Sequence, residues 1–173
     1  MIHSNLEPVI YKTAAWLTAY LQGYITNATA ERAVATYPSV TDFPSILDYP
    51  DDDYTPPALK RAAVGSVIPP SGPFPYLLLV LDGVVPEWSG QNSENLNITM
   101  KAIVAIQENN DRKLGIALMR YMDGLIQALG ANITLDGIFD EIKITNIDKD
   151  ELPANKVGFL IADLSARLEI VSE

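Results

Sequence analysis

Apolar positions along the chain recur in two rhythms. Over 8–24, Val9, Tyr11, Ala14, Trp16, Leu17, Tyr20, Leu21 and Tyr24 fall at helical spacings of three and four. Pro8 sits where a first-turn proline is tolerated, Gly23 and Asn27 are candidate stops, and the stripe reads as core-facing. At 76–82 an apolar run bounded by Pro75 and Gly83 suits a buried strand. Residues 83–95 form a polar, glycine-containing connection. Ile98, Met100, Ala102, Val104 and Ile106 then alternate with their neighbours at a period of two, so the two runs predict an antiparallel hairpin with a long tip loop.

Asn110 or Asp111 can cap the next element, because a short side-chain oxygen accepts an orphan amide hydrogen bond. Leu114, Leu118, Tyr121, Leu125 and Leu129 share one helix face, with Ala117, Met122, Ile126 and Ala128 flanking it and Gly130 and Asn132 ending it. A helix of about 19 residues would be roughly 28 Å long. Ile142 and Ile144, then Ala162, Leu164, Ala166, Leu168 and Ile170, alternate again, predicting a second hairpin across a charged connection at 148–156 that contains Pro153.

Residues 37–75 follow neither rhythm. They hold nine of the 12 prolines, and neither a helix nor a central strand runs through such a stretch. Tyr37, Phe43, Ile46, Leu47, Tyr49, Tyr54 and Phe74 are interleaved there, which predicts an extended arm packing on its own subunit or on a neighbour, with disorder as the alternative. The element order is helix, arm, hairpin, helix, hairpin. It predicts an α+β fold in one domain spanning 1–173: a mostly antiparallel sheet of two hairpins packed by an N-terminal and a central helix, with 37–75 as a long proline-rich arm or insertion.

Charge narrows the partners. Twenty-two acidic residues against 12 basic ones give a net charge of −10, which argues against binding nucleic acid or anionic lipid. The chain has no cysteine, so disulfides, thiolate metal sites and cysteine nucleophiles are excluded. One histidine, His3, makes histidine-based triads and multi-histidine metal sites implausible. No membrane span and no cleaved signal peptide are expected, because the longest apolar run is six residues and the N-terminus lacks a basic region.

Candidate chemistry is thin. Asp51, Asp52 and Asp53 are the only dense acidic cluster, but consecutive residues of an extended segment point in alternating directions, and a solvated acidic turn is the better reading than a cation site. Glu108, Asp111, Asp136, Asp140 and Glu141 could supply paired carboxylates, yet no spacing fixes a pair. No phosphate loop, dinucleotide fingerprint or nucleophile elbow occurs. The reading is therefore of a chain that is not an enzyme, with no catalytic, metal or cofactor residue. Trp88, in the hairpin tip Pro86-Glu87-Trp88-Ser89-Gly90, is either an interaction residue or folded back on its own sheet. Glu87, Trp88, Asp51, Asp52, Asp53 and Tyr54 are the candidate interface residues.

A long strand at 96–107 ends in Glu108-Asn109-Asn110-Asp111-Arg112 and leads at once into an amphipathic helix ending Leu125-Ile126-Gln127-Ala128-Leu129. With a helix before it and a hairpin after it, this arrangement resembles the tail terminator (tail completion) proteins of long-tailed bacteriophages. The proline-rich arm lies outside the resemblance. What the resemblance implies is a structural virion protein of the tail or neck, assembled in the host cytoplasm. Its partners would be identical copies in a ring, usually a hexamer, the tail tube protein beneath, and a head-completion or stopper protein of the connector above. Such a ring matches the growing tube end on one face only, and so ends polymerisation; heterologous contacts close when the rotation per subunit divides the circle. DNA would pass the lumen without specific binding, and acidic side chains there would repel its phosphates. Head-side neck proteins and other tail proteins share this texture. A small α+β enzyme or ligand-binding domain is the reading from a different class.

Overall fold

The computed structural model describes residues 6–34, 54–65, 72–88 and 93–171. Helix α1 (Leu6–Val34) is followed by strands β1 (Arg61–Val64), β2 (Tyr76–Trp88) and β3 (Ser93–Gln107), helix α2 (Asp111–Ala131), and strands β4 (Glu141–Leu152) and β5 (Val157–Val171). The strands form one sheet in the order β1-β2-β3-β5-β4. Only the β1–β2 pair is parallel; the other three pairings are antiparallel, so the fold is α+β with a mostly antiparallel sheet built on two hairpins.

Alternation on β3 sorts the sheet into two faces. Leu96, Ile98, Met100, Ala102, Val104 and Ile106 all join the main core beneath the helices. Leu77 and Leu79 on β2 and Leu160, Ala162, Leu164 and Ala166 on β5 point the same way. Tyr76, Leu78, Ile103 and Ala105 form a second, smaller cluster on the other face, with Phe74, Val80, Phe159 and Ile161 against it. That second cluster explains why 76–79 reads as an uninterrupted apolar run: both of its faces are buried.

Helix α2 begins as its sequence predicts. The Asn110 side chain accepts from the Arg112 and Lys113 amides at 2.9 and 3.3 Å, so Asn110, not Asp111, is the cap. Leu114, Leu118, Tyr121, Leu125 and Leu129 are buried as one stripe.

Helix α1 is longer than its stop signals predict. It passes through Gly23 and Asn27 and ends at Val34. A glycine inside a helix costs about 1 kcal/mol, but packing just beyond it is dense. Ile25 is fully buried and sits so close to Gly124 on α2 that a Cβ at position 124 would lie 2.5 Å from the Ile25 Cγ1. The Asn132 amide donates to the Tyr24 hydroxyl, tying the same turn to the end of α2. Tertiary contact thus carries the helix past its local breaker. The stripe also shifts: Ile10, Ala14, Leu17, Leu21 and Ile25 face the core, whereas Tyr11 and Tyr20 are 54% and 51% exposed.

Three strand boundaries also move. Strand β2 does not stop at Asp82; it runs on to Trp88, so most of the expected connection at 83–95 is strand. A bulge at Asp82 lets Leu81 pair with Met100 and Gly83 with Thr99, so the ladder continues past the glycine. Pro86 is tolerated because β1 pairs with β2 only over Tyr76–Leu79, leaving the rest of β2 as a sheet edge where a missing N–H is harmless. Likewise β4 extends to Leu152 through the charged segment expected to be loop, and a single 3₁₀ turn over Pro153–Asn155 makes the reversal. Charged side chains are common on edge strands, where they discourage mispairing. Strand β1, within the proline-rich segment, is a four-residue edge strand that the prolines alone do not announce.

Substituting Leu118 or Leu125 by Asp should abolish cooperative unfolding, because each is at most 1% exposed and an unpaired carboxylate there is costly to bury. Circular dichroism with urea titration checks this; a soluble variant with a sharp transition would show that α2 does not pack as described.

Candidate functional site

The six candidate interface residues fall in three places. Asp51, Asp52 and Asp53 lie outside the described residues, as does His3. Glu87 and Trp88 end strand β2, with Trp88 paired in register with Glu94. Trp88 is 70% exposed, so it does not fold back into the sheet. Towards the same end of the sheet, Val84 on β2 and Leu168 and Ile170 on β5 are only partly buried. The apolar layer therefore thins out towards the hairpin tip and leaves Trp88 as its outermost member.

Tyr54 lies against its own subunit. Its hydroxyl donates to Glu108 Oε1 at 2.6 Å, and the Lys113 ammonium and the Arg120 guanidinium each stand 5.6 Å from its ring centroid. Both cations come from α2, and Arg120 is buried. The next residues are tied down as well. Tyr121 donates its hydroxyl to the Pro57 carbonyl at 2.6 Å, and Gln22 donates to the Pro56 carbonyl at 3.3 Å. Prolines lack an amide hydrogen but keep a good acceptor, so this return of the chain is strapped to both helices through carbonyls before it enters β1.

Four of the five carboxylates weighed for acid–base work have structural partners. Glu108 accepts from Tyr54. Asp136 accepts from the Trp16 indole at 2.7 Å, holding α1 to a turn in which Leu135, Asp136 and Gly137 all take positive φ. Asp140 accepts from the Glu169 amide. Asp111 lies 3.9 Å from the Lys156 ammonium. Among the described residues no three His, Asp or Glu side chains gather at a metal-binding distance, and no helix is long and apolar enough to cross a membrane. On the sheet face away from the helices, Lys101 sits 3.2 Å from Asp163, which together with Asp82 and Asp148 raises its pKa above the ordinary lysine value.

The structure adds a surface that the sequence reading does not single out. Between α2 and the edge strand β4 lies an open groove of about 410 Å³, lined chiefly by Ile126, Leu129, Ile133, Ile142, Ile144 and Ile147. Ile126 and Ile133 are 50% and 55% exposed. The signal was present in the chain: Ile126 flanks the buried stripe of α2, and Ile133 follows the helix end. Only the placement of β4 beside them makes one surface of the two. A smaller hollow of about 210 Å³ lies at the other end of the sheet, between α1 and β1, lined by Tyr11, Ala14, Ala15, Ala62, Ala63 and Val64.

No protein-family model and no curated protein matches this chain. Among solved structures, a chain described as the virion of a native gene transfer agent particle aligns at a TM-score of 0.40 and 11% identity, covering 62% of this chain and 79% of that chain.

Two predictions follow from the geometry of the tyrosines and of the tip. Burial first, then the bond to Glu108, pushes the Tyr54 phenol well above its ordinary value of 10.0, and burial does the same to Tyr121. The unfolded chain releases these protons near the ordinary value while the folded chain keeps them. Their contribution to stability is therefore complete below about pH 10 and declines as the pH rises beyond it. A Tyr54→Phe, Tyr121→Phe double variant should be less stable at neutral pH but lose less stability between about pH 9 and pH 11. Urea midpoints across that range check it, and an unchanged alkaline slope would assign the titration to other groups. Trp88→Ala should change the unfolding free energy by no more than about 0.5 kcal/mol, as for an exposed surface residue. A larger loss in the same titration would place Trp88 in the core.

Proposed function

We propose that this chain is a structural virion protein that forms a ring at the head-proximal end of a phage tail tube, ending tube polymerisation and offering a docking face to the head connector. What carries the reading is the order of elements: a helix, a long hairpin, an Asn-capped corner at Asn110, a buried-stripe helix and a closing hairpin. This is the arrangement on which the resemblance to tail terminators rests. The extended sheet suits it physically. The hairpin of β2 and β3 is 13 and 15 residues long, and it leaves Trp88 exposed at one extremity, where a partner could bury it. The net charge of −10 is compatible with DNA passing a lumen without sticking.

In this reading the protein works by matching shapes with copies of itself and with a cylinder of tube subunits. The tube end is self-complementary and keeps adding rings. A terminator satisfies that end and presents a different surface above it.

Electron microscopy of tails assembled without this protein tests the reading. Tubes of uncontrolled length are expected, and tails of normal length would overturn termination as the role. Trp88→Ala, folded as above, should reduce ring or tail incorporation; full incorporation would remove the hairpin tip from the assembly surface.

A further inference from the structure

The two ends of the sheet are unlike each other and complementary. At one end stands β1, backed by α1; at the other stands β4, backed by α2. Among the described residues each is an edge strand, with no further strand paired on its outer side. The β4 end carries the larger apolar groove, with Ile126 and Ile133 half exposed along it. The β1 end carries Tyr11, 54% exposed, beside a hollow lined by alanines, a protruding ring next to small side chains.

Charge sorts the same way. Among the described residues, the exposed charged ones around the β1 end are Lys12, Lys60 and Arg61, against Glu7 in the first turn of α1. Along β4 they are Glu141, Asp148, Asp150 and Glu151 against Lys143 and Lys149. In a chain with nearly twice as many acids as bases, a basic end is the departure, and it lies opposite an acidic end. Of the polar side chains in the groove wall, Thr145 donates to the Asp163 carbonyl and Asn146 to Asp148, and Lys143 stands beside them.

We propose that these two ends join copies of this chain head to tail, the α1–β1 end of one protomer seating Tyr11 in the α2–β4 groove of the next. The occupant of the groove is a second copy, chosen by opposite charge on the two ends and by a tyrosine facing an apolar trough. Because the two surfaces differ, the contact is heterologous, and repeating it gives a ring if the rotation closes or a filament if it does not. The pairing needs only a short ladder at the seam, since β1 has four residues. This assignment deepens the ring reading and rests on it for closure alone.

The chain has no cysteine, which makes the seam directly testable. Tyr11→Cys and Ile126→Cys alter exposed positions, so both variants should fold. Mixed in concentrated solution or co-assembled on tails, they should form a covalent dimer under oxidation or with a short bis-maleimide, while neither variant alone links to itself. The double variant should give a ladder ending in a closed species. Links within Ile126→Cys alone would show a two-fold contact and overturn the proposal, and so would the absence of links in both settings. Reversing the basic end with Lys60→Glu and Arg61→Glu should lower the yield by about tenfold or more at low salt, as expected when like charges meet. A partner carrying Asp148→Lys and Asp150→Lys should restore it, and an unchanged yield would overturn the charge match. Rings seen on tails without the Tyr11–Ile126 link would overturn this seam and leave the virion reading standing. Head-to-tail links in a particle that is not a tail would do the reverse.

Discussion

Strand β3 is hydrogen-bonded along both sides, to β2 from Glu94 to Ala105 and to β5 along all of Ser93–Gln107. Every other element takes its position from it. Its alternate residues Leu96 to Ile106 join the core beneath the helices, with α2 lying over β3, β4 and β5 and α1 over β1 and β2, and burying each of the larger ones contributes about 1.5–3 kcal/mol. Because a register slip of one residue would turn that whole row outward, the pairing of β3 with its neighbours is strongly specified. The extra residues fall on its neighbours: one bulge lies on β2 between Leu81 and Gly83, opposite Met100 and Thr99 of β3, and the other on β4 between Ile144 and Asn146, against β5.

The helices close the core through small residues as much as large ones. Gly124 lets Ile25 approach α2, and Gly158 lets Leu118 and Leu114 approach β5. Around this packed centre the polar groups act mainly as fasteners. Trp16 holds the 133–138 turn through Asp136, Tyr54 holds Glu108, and Tyr121 holds Pro57. Such bonds consume the carboxylates and phenols that would otherwise be candidates for chemistry. The exposed large apolar side chains include Trp88 at the hairpin tip, Tyr11 by β1, and Ile126 and Ile133 by β4, besides Tyr20, Leu81, Val85, Met119 and Leu152. The proposed ring draws on that distribution.

How far this was legible in the residues differs by element. The α2 stripe, its Asn110 cap and the alternation at 96–107 are local patterns, so the sequence alone determined that a capped helix follows a long half-buried strand, and that the fold is α+β with two hairpins. It also excluded disulfides, thiolate metal sites and cysteine nucleophiles, because the chain has no cysteine. The lengths of α1, β2 and β4 were not legible, because each continues through residues that locally disfavour it. Gly23 is carried by Ile25 against Gly124, Pro86 by a sheet edge, and 148–152 by backbone pairing with β5 that does not depend on side-chain pattern. Likewise, only the tertiary structure decided which apolar residues are surface. Tyr11 and Ile126 look like core by spacing, yet each faces outward beside an edge strand that comes from a distant part of the chain. A sheet edge is created by where strands end up in space, and no periodicity along one segment records that.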